Sequence, residues 1–590
     1  MSDVMLKYFN TDNLKLAYLR VVCWNDKTIK DRVGIRAFGT NLEENCKALS
    51  EKICTNKYNP SRGFKFYVPK PSYTLRTKTL LFIEDAILYQ AIANKIAEQN
   101  YGILKQQEQF VFGSVLNPNV QLGEKLLNKN DPNFFFFKFW RNLFHKFKES
   151  VIHSIEVDGV RCKFETDITG FFDCIPHYNL MEILSVQFNV EDEILDILSN
   201  CFNMWSGTRD GITPGVGIPQ GPVPSFLFAN LLLHGLDEKI INKGFKYYRY
   251  MDDIKIYGYD ETELKYSLII IDKYLKSVGL SINSKKTSIE IIDKEKEDAT
   301  IKELKKMSVF GTYDDDFDFD FDISDIIGID NIIPGFDKLD ASEIIADTLD
   351  KETSKLSDQD GVSSEFDMSD VEVLTDKDEI ISYWEKNIKE VEKDLPLLFV
   401  DSDLPLADLV LNEGIEDIDA IQLSSKYGTS LRYLSEIKDG VNPNNDLLKY
   451  WIFCYKKFFW RVNNIGLTLV HYKENEELKS CLISLLSDGF QMYEWARYFA
   501  IQTLSFSQTF TDRELRSIFF NSLENEKDLV KISLYRLLYI HSNNSQFESS
   551  INLQLKTEKN HYLKLIVADF KRNYKGDNMN LSDFINTIGL

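Results

Sequence analysis

A single acidic segment divides the chain and limits what it can fold into. Residues 311–380 hold 23 Asp and Glu against 4 Lys and Arg, and they include the string YDDDFDFDFDISD (313–325). Like charges at this density repel one another and stay solvated, so the segment cannot supply a packed core. A calcium-binding loop is the alternative, but the string lacks the Gly and Glu positions that such a loop requires. We therefore predict a mobile acidic linker between two folded regions.

The rest of the chain is nearly balanced in charge. The formal net charge of the 590 residues is −22, and the linker alone contributes −19, as 4 minus 23. Residues 1–310 hold 41 Lys and Arg against 39 Asp and Glu, and residues 381–590 hold 24 against 29. The acidic composition of the whole chain therefore does not exclude a nucleic-acid partner for the first 310 residues.

The sequence shows no signal for secretion or membrane insertion. The beginning, MSDVMLKYFN, lacks the basic and then apolar layout of a signal peptide. No apolar run reaches the roughly 18 residues that a membrane span needs. The 8 cysteines form no C-x-x-C pair, which argues against a zinc ribbon or a disulfide framework. These features predict a cytoplasmic protein with no membrane partner.

Hydrophobic periodicity differs between the two folded regions. Before the linker, LFIEDAILYQAIANKIAEQ (81–99) predicts a helix, whereas RCKFETDI (161–168) and YYRYMDDIKIYG (247–258) predict strands or a hairpin. This mixture is typical of an α+β fold. After the linker, apolar residues recur every three or four positions in three segments, 447–462, 492–504 and 529–542. That spacing predicts an all-α region.

Acidic residues mark two places in the α+β region. Asp167 ends a predicted strand and begins DITGFFD, and YMDD (250–253) lies within the predicted hairpin. Adjacent carboxylates at a buried edge are unfavourable without cations, and hard oxygen ligands suit Mg²⁺. Three carboxylates on neighbouring strands could hold two metal ions about 3.5–4 Å apart, an arrangement that supports phosphoryl transfer. The alternative is a surface hairpin in which the Asp pair caps the bend.

A third segment combines a Gly- and Pro-rich loop with an apolar helix. The string GVGIPQGPVPSFLFANLLL spans residues 215–233, and Gln220 offers an amide within the loop. Four residues let the backbone approach a flat ligand closely: Gly217, Pro219, Gly221 and Pro222. A plain helix-entry loop is the alternative.

The order of these motifs resembles the palm of a reverse transcriptase. DITGFF, GIPQGPxxSxxxAN, RYMDD and SINSKKT (281–287) are similar to its motifs A, B, C and D, and the resemblance covers roughly residues 65–300. It implies the fingers and palm of a right-hand polymerase that joins deoxynucleotides by two-metal phosphoryl transfer. The implied cofactor is a pair of Mg²⁺ ions, for which Mn²⁺ can substitute. The implied metal site consists of Asp167, Ile168, Asp252 and Asp253.

The resemblance also implies roles around the nucleotide. Phe172 matches the steric gate that excludes a ribose 2′-OH, and Lys286 matches the motif D lysine that protonates the departing pyrophosphate. Lys285 is the alternative to Lys286, one position away. The implied nucleotide pocket also includes Gln220, Gly221, Tyr250 and Met251.

Upstream, FYVPKPSYTLR (66–76) resembles the fingers motif of the same family. Lys70 and Arg76 would then bind the incoming triphosphate, because cations neutralise the charge that develops in phosphoryl transfer. Two surface cations on a loop are the alternative. The implied domains are an N-terminal region with fingers (1–150), the palm (151–310), the acidic linker (311–380) and a helical C-terminal domain (381–590).

The helical tail narrows the resemblance to one class. The tail is mildly acidic, which differs from the basic tail of group II intron enzymes, and it lacks the α/β pattern of an RNase H domain. FWRNLF (139–144), HGLDEKI (234–240) and WARYFAIQTL (495–504) resemble the bacterial abortive-infection and unknown-group enzymes, also called defence-associated reverse transcriptases. That class implies a HEAT-like tail, antiphage defence and DNA synthesis primed by a protein side chain.

Other functions remain open at this stage. RLLYIH places Arg536 and His541 at the spacing of a HEPN ribonuclease, so the tail could be the effector and the polymerase its regulator. The alternative is that this segment is a buried helix in which Arg536 and His541 have no catalytic role. The palm could also be a scaffold for a tail that binds a partner. Expected partners are deoxynucleoside triphosphates and a DNA product, with an RNA template or non-coding RNA, a second copy or a second defence protein as further candidates.

Overall fold

The computed structural model divides into two compact units. The first comprises Met1–Phe66 with Thr77–Phe321, and the second comprises Tyr67–Arg76 with Asp322–Leu590. The predicted acidic linker lies outside the described residues as far as residue 376. The structure describes residues 2–23, 31–129, 133–138, 140–208, 211–292, 377–400, 404–412, 417–438, 440–487, 493–506, 510–523, 528–541, 545–558 and 560–573.

Helices form most of the beginning of the chain. They are α1 (Asp3–Phe9), α2 (Thr11–Cys23), α3 (Arg32–Gly39) and α4 (Leu42–Cys54), followed after a hairpin of β1 (Phe64–Pro69) and β2 (Leu75–Leu80) by α5 (Ile83–Lys105). The helix predicted over residues 81–99 is confirmed as α5, which packs against α1 and α2. Because apolar residues lie on all of its sides, α5 is buried over most of its length.

A four-stranded antiparallel sheet forms the centre of the first unit. Its strands are β3 (Cys162–Thr166), β4 (Lys246–Tyr250), β5 (Asp253–Gly258) and β6 (Ser288–Ile291), in the order β4-β5-β3-β6. The predicted strand and the predicted hairpin are both confirmed, as is the α+β class of this region. Helix α6 (Trp140–Glu156) packs against β4.

Further helices belong to the first unit. They are α7 (Phe171–Cys174), α8 (His177–Phe188), α9 (Asp192–Trp205), α10 (Val223–Ile241) and α11 (Glu261–Ser277). Helix α10 is apolar around its whole circumference and is almost entirely buried, as its sequence requires. Helix α11 packs on β3, β5 and β6, and Asp260 caps its first turn by accepting from the backbone of Thr262 and Glu263.

The described part of the second unit after residue 376 is built from helices. They are α12 (Lys377–Asp394), α13 (Asp417–Ile437), α14 (Leu448–Lys457), α15 (Val462–Leu469), α16 (Glu476–Ser487), α17 (Glu494–Leu504), α18 (Asp512–Leu523), α19 (Asp528–His541), α20 (Ser545–Thr557) and α21 (His561–Asn573). Helices α13, α15, α17, α19 and α21 pack one against the next, and α14, α16 and α18 each pack on the helix that follows. The predicted helical region is therefore present as a succession of helices.

One helical run is interrupted. The periodic segment 447–462 is split between α14 and α15, because the chain turns at Phe458 and buries both Phe458 and Trp460. Within the described residues, no helix combines the length and apolar character needed to cross a membrane.

Candidate active site

Strand register brings two of the predicted acidic residues together. Thr166, the last residue of β3, pairs with Ile254 of β5. The next residues outward are Asp167 and Asp253, so their backbones lie side by side at one end of the sheet. Tyr250 pairs with Asp253, which leaves Met251 and Asp252 as the turn between β4 and β5. The sheet end therefore carries both predicted acidic motifs.

The Asp253 carboxyl lies in an environment that disfavours its charge. Burial raises the pKa of Asp253 to about 6, with Lys255 and Lys286 lowering it and Glu165 and Asp167 raising it. Two neighbouring carboxylates thus add their repulsion to the cost of desolvation. A cation bound here would relieve both effects.

The motif D segment folds over the end of β3. Both the Lys285 and the Lys286 side chains are exposed, and Lys286 Nζ lies 2.9 Å from Asp167 Oδ2. Asn283 donates its backbone N–H to the Asp167 carbonyl at 2.7 Å, and its side-chain nitrogen lies 3.5 Å from Asp167 Oδ2. Sequence analysis missed Asn283, although it belongs to the same SINSKKT string. Of the two adjacent lysines, Lys286 is the one that contacts the carboxylate.

The donor atoms at this sheet end fit a hard divalent cation, although they are not gathered into a closed set. Among the residues that the structure describes, no group of three or more His, Cys, Asp or Glu is arranged as a metal site. Asp167 and Asp253 are neighbours and Asp252 lies in the adjoining turn, while Ile168 forms a β-bridge with Ile282. Carboxylates repel one another until a cation lies between them. An all-oxygen set of this kind suits Mg²⁺.

The Gly- and Pro-rich loop is held by backbone contacts. Thr79 N–H donates to the Gln220 carbonyl at 2.9 Å, and Ser225 Oγ donates to the Pro219 carbonyl at 2.5 Å. Gly221 has a φ of +128°, a conformation that glycine adopts without a steric penalty. Gln220 is buried. The glycines were expected to let the loop backbone approach another group closely. At Gly221 the group that it approaches is the backbone of β2.

Phe172 lies in the short helix α7 and packs against the helix that follows this loop. Its ring meets that of Phe226 edge to face, with centroids 5.5 Å apart, and its side chain is buried. The Phe172 carbonyl accepts from Ile218 N–H at 2.9 Å. The steric-gate candidate is therefore fixed to the Gly- and Pro-rich loop by both backbone and ring.

The YMDD turn contains a strained residue. Met251 has a φ of +54°, a conformation that costs a non-glycine residue about 1–3 kcal/mol. The Met251 side chain is buried, and the Tyr250 ring packs edge to face on Phe144. Burial raises the pKa of the Tyr250 hydroxyl. Both side chains predicted to bind nucleotide thus make packing contacts next to the acidic residues.

A further backbone segment lies along the turn, and sequence analysis missed it. Phe112 N–H donates to the Arg249 carbonyl and Arg249 N–H donates to the Phe110 carbonyl, both at 2.8 Å. The segment continues to Gly113, where a Cβ would lie 2.6 Å from Met251 N. The short apolar string FVFG (110–113) was the sequence signal that could have indicated this segment.

Lys70 and Arg76 belong to the second unit, and the structure describes them there. Lys70 N–H donates to the Thr74 carbonyl at 2.8 Å across the turn of the β1–β2 hairpin, and Arg76 is buried. Within the same unit, the exposed Tyr73 ring stacks on Phe459, with centroids 5.1 Å apart. The hairpin turn is therefore packed against an aromatic residue that lies between α14 and α15.

The residues of the ribonuclease alternative are engaged in packing. Arg536 is buried, and its Nη1 donates to Gln502 Oε1 at 2.9 Å. His541 Nε2 lies 2.7 Å from the Ser505 carbonyl, and its ring packs on Phe510. Burial lowers the pKa of His541, which favours a neutral imidazole. This environment matches the buried-helix interpretation.

Comparison with known proteins identifies the domain that contains the sheet. The family model described as reverse transcriptase (RNA-dependent DNA polymerase) matches residues 70–312, less than half of the chain. The chain thus carries a reverse-transcriptase domain, and this domain indicates RNA-directed DNA polymerase activity. No curated protein matches the chain.

Two solved telomerase structures show a weak overall similarity to this chain. Apo telomerase from Candida tropicalis, truncated from the C-terminal domain, has a TM-score of 0.29 and 13% identity over 42% of this chain and 56% of that one. Telomerase from Candida albicans, in complex with a TWJ fragment of telomeric RNA, has a TM-score of 0.30 and 12% identity over 83% of this chain and 68% of that one. This chain therefore spans little more than half of the first structure and about two thirds of the second.

Proposed function

We propose that this chain joins deoxynucleotides by two-metal phosphoryl transfer. One observation carries the proposal: Asp167, just after β3, and Asp253, the first residue of β5 and the last of YMDD, lie at the same end of adjacent strands, inside a domain that matches reverse transcriptases. Two half-buried carboxylates at one end of the sheet are unfavourable for stability alone, since their charges repel one another. A site that binds divalent cations explains their presence.

The chain's own residues take distinct roles in this proposal. Asp167, Asp252, Asp253 and the backbone of Ile168 would hold Mg²⁺, or Mn²⁺ in its place. When bound, the metal ions stabilise the negative charge that develops on the reacting phosphate. Lys286, whose Nζ lies 2.9 Å from Asp167 Oδ2, would give a proton to the departing pyrophosphate.

Nucleotide choice depends on the neighbouring side chains. Phe172 would fill the space that a ribose 2′-OH needs, which favours deoxynucleotides. The base and sugar would lie against the Gly- and Pro-rich loop and the YMDD turn, at Gln220, Gly221, Tyr250 and Met251. By their resemblance to the fingers motif, Lys70 and Arg76 would bind a triphosphate.

A dNTP incorporation assay with purified protein tests the proposal. Asp252→Asn removes one charge from the site at nearly constant volume and should lower the rate by about 10²–10³-fold. Asp196→Asn is the matched control, because Asp196 is exposed on α9 and lies outside the proposed site. Equal rates for wild type and Asp252→Asn, or no incorporation by the wild type with any template, would contradict it.

We further propose that polymerisation serves antiphage defence in the bacterial cytoplasm. Support comes from the resemblance to defence-associated reverse transcriptases and from a reverse-transcriptase domain followed by helices that pack in succession, as HEAT-like repeats do. Cells that express the wild type should plate phage less efficiently than cells that express Asp252→Asn. Equal plating across a broad phage panel would oppose this role.

Synthesis is proposed to start from a tyrosine of the chain itself. The priming hydroxyl must reach within about 3–3.5 Å of the reacting phosphorus, which requires an accessible and mobile side chain. Tyr498 and Tyr535 are buried, whereas Tyr73, Tyr178 and Tyr259 are exposed. Labelled DNA that stays on the protein through denaturation and RNase treatment supports protein priming. Product that migrates freely opposes it.

The template and partners are also proposals. An RNA template or non-coding RNA fits a domain with RNA-directed polymerase activity, and sequencing the nucleic acid that co-purifies with the chain identifies it. Absence of RNA in that fraction would favour synthesis without an RNA template. Light scattering of the purified chain decides whether it forms a homo-oligomer, and co-purification from cells tests for a second defence protein.

A further inference from the structure

A fully buried ion pair links the strand before the YMDD turn to helix α10. Arg249 Nε and Nη2 donate to the two carboxylate oxygens of Asp237, at 2.7 and 2.6 Å. The Tyr247 hydroxyl donates to Asp237 Oδ1 at 2.6 Å, and all three residues have 0% exposure. This two-pronged arrangement gives the guanidinium one orientation relative to the helix.

The remaining nitrogen of Arg249 contacts the turn itself. Its Nη1 donates to the Met251 carbonyl at 2.8 Å and to Asn230 Oδ1 at 2.9 Å. Because the guanidinium is planar and rigid, fixing two of its nitrogens on Asp237 also fixes the third. The position of the Met251 carbonyl is thereby set by a residue on α10.

The other side of the turn is fixed by backbone. Asn230 Nδ2 donates to the Gly113 carbonyl at 3.0 Å, which ties the Phe110–Gly113 segment to the same network. A Cβ at Gly113 would lie 2.6 Å from Met251 N, so only glycine permits this approach. Met251 has a φ of +54°, and such conformations persist where surrounding contacts determine them.

We propose that Arg249, oriented by Asp237, is a positioning residue for the polymerase reaction. It holds the Met251 carbonyl and with it the backbone of Asp252 and Asp253, the next two residues of the chain. A buried ion pair is a poor source of stability, because desolvation offsets much of its attraction. Its geometric role accounts better for its presence. The inference rests on the proposed function.

The test compares two perturbations of the turn with two matched controls. Arg249→Lys keeps the charge but cannot form the fork and the carbonyl contact together, and Gly113→Ala displaces the turn without changing any charge. Arg20→Lys is the first control, since Arg20 is also buried but donates to Asn94 and Asn119. Gly102→Ala is the second, because a Cβ there meets nothing within 4 Å.

Initial rates of dNTP incorporation are measured against Mg²⁺ and dNTP concentration, together with the thermal unfolding midpoint. Displacing the carboxylates should lower kcat by about 10²-fold and raise the Mg²⁺ concentration for half-maximal rate, with a smaller change in KM for dNTP. A merely structural role would lower the active fraction and leave the Mg²⁺ dependence unchanged. The two controls should retain the wild-type Mg²⁺ dependence.

A wild-type rate and Mg²⁺ dependence in folded Arg249→Lys would overturn the inference, and where Arg249→Lys does not fold, the same result in Gly113→Ala would overturn it. A shifted Mg²⁺ dependence in Arg20→Lys would also overturn it, because the effect would then be general to buried arginines. Failure of the proposed function has a different signature. In that case the wild type is inactive, or Asp252→Asn is as active as the wild type.

Discussion

Lys285 and Lys286 are neighbours in sequence with different surroundings. Both side chains are exposed, but it is Lys286 whose Nζ lies 2.9 Å from Asp167 Oδ2. Lys286→Ala should lower kcat by about 10²-fold, the usual range for a general acid. Lys285→Ala is the control and should change kcat little. Single-turnover incorporation rates make the comparison, and equal losses in the two variants would remove Lys286 from the proposed chemistry.

Sugar selection is the second property that belongs to single residues. Phe172→Ala should increase incorporation of ribonucleotides relative to deoxynucleotides, because in the proposed function the Phe172 ring fills the space that a 2′-OH needs. Truncating a buried Phe also costs about 3–5 kcal/mol of stability. The ratio in a competition assay is independent of that loss, since inactive molecules contribute to neither product.

Phe171→Ala is the matched control, as Phe171 is buried beside Phe172 in α7. It should destabilise the protein without changing the sugar ratio. A shift of equal size in both variants would mean that α7 packing, rather than the Phe172 ring, sets the ratio.

Sequence alone could indicate some of these residues and not others. The position of Asp167 at a strand end is a local pattern, whereas its association with Asp253 is implied by the resemblance to reverse-transcriptase motifs. Asn230, Asp237 and Arg249 form one network across a helix and a strand, and no periodicity in the sequence relates them. Tertiary pairing of buried polar groups is visible only in the fold.

At the scale of elements, the β1–β2 hairpin offers a test of nucleotide binding. The turn that carries Lys70 also carries Tyr73, whose ring stacks on Phe459. Tyr73→Ala should loosen this turn and raise KM for dNTP by about tenfold, in line with the loss of one to two kcal/mol of packing. Tyr73→Phe keeps the ring and should behave as wild type. Steady-state kinetics with both variants make the measurement, and an unchanged KM in Tyr73→Ala would contradict a nucleotide-binding role for the turn.

Elements were predicted best where periodicity was long and uninterrupted. Helix α5, with apolar residues on all sides, and the β4–β5 hairpin, with its β-branched and aromatic flanks, both followed from local pattern. The break between α14 and α15 did not, because Phe458 and Trp460 continue the apolar spacing while the chain turns to bury them. Packing decides that boundary rather than propensity.

At the scale of the whole molecule, we expect the protein to lose stability in acid because of His471. Burial lowers the pKa of His471 from 6.5 to about 4. Below about pH 6.5 the unfolded chain binds a proton at this histidine, whereas the folded chain does not. The contribution of His471 to the free energy of unfolding is therefore full above pH 6.5 and declines below it. Between pH 6.5 and 5 the expected loss from this group is about 2 kcal/mol.

Thermal unfolding of wild type and His471→Gln between pH 7.5 and 5 checks this expectation. The wild type should lose stability more steeply on acidification than the variant, which has no titrating group at that position. Parallel pH profiles would show that His471 is protonated in the folded chain as readily as in the unfolded one.

The acidic segment is the other property of the whole chain. Replacing the aspartates of 313–325 with Asn keeps the length and should strengthen nucleic-acid binding at low salt, because repulsion of the phosphate backbone falls. The difference should vanish at high salt, where charges are screened beyond a few ångströms. Affinity for a single-stranded oligonucleotide at two salt concentrations provides the measurement. A salt-independent difference, or loss of folding, would contradict an electrostatic role.

The sheet end formed by Asp167 and Asp253 is proposed to be the catalytic centre of a polymerase. The most direct measurement is the initial rate of dNTP incorporation, as a function of Mg²⁺, for wild type, Asp253→Asn and the exposed control Asp196→Asn. We expect Mg²⁺-dependent synthesis by wild type and control, and a loss of about 10²–10³-fold or more in Asp253→Asn at every Mg²⁺ concentration. Synthesis by folded Asp253→Asn at the wild-type rate would contradict it.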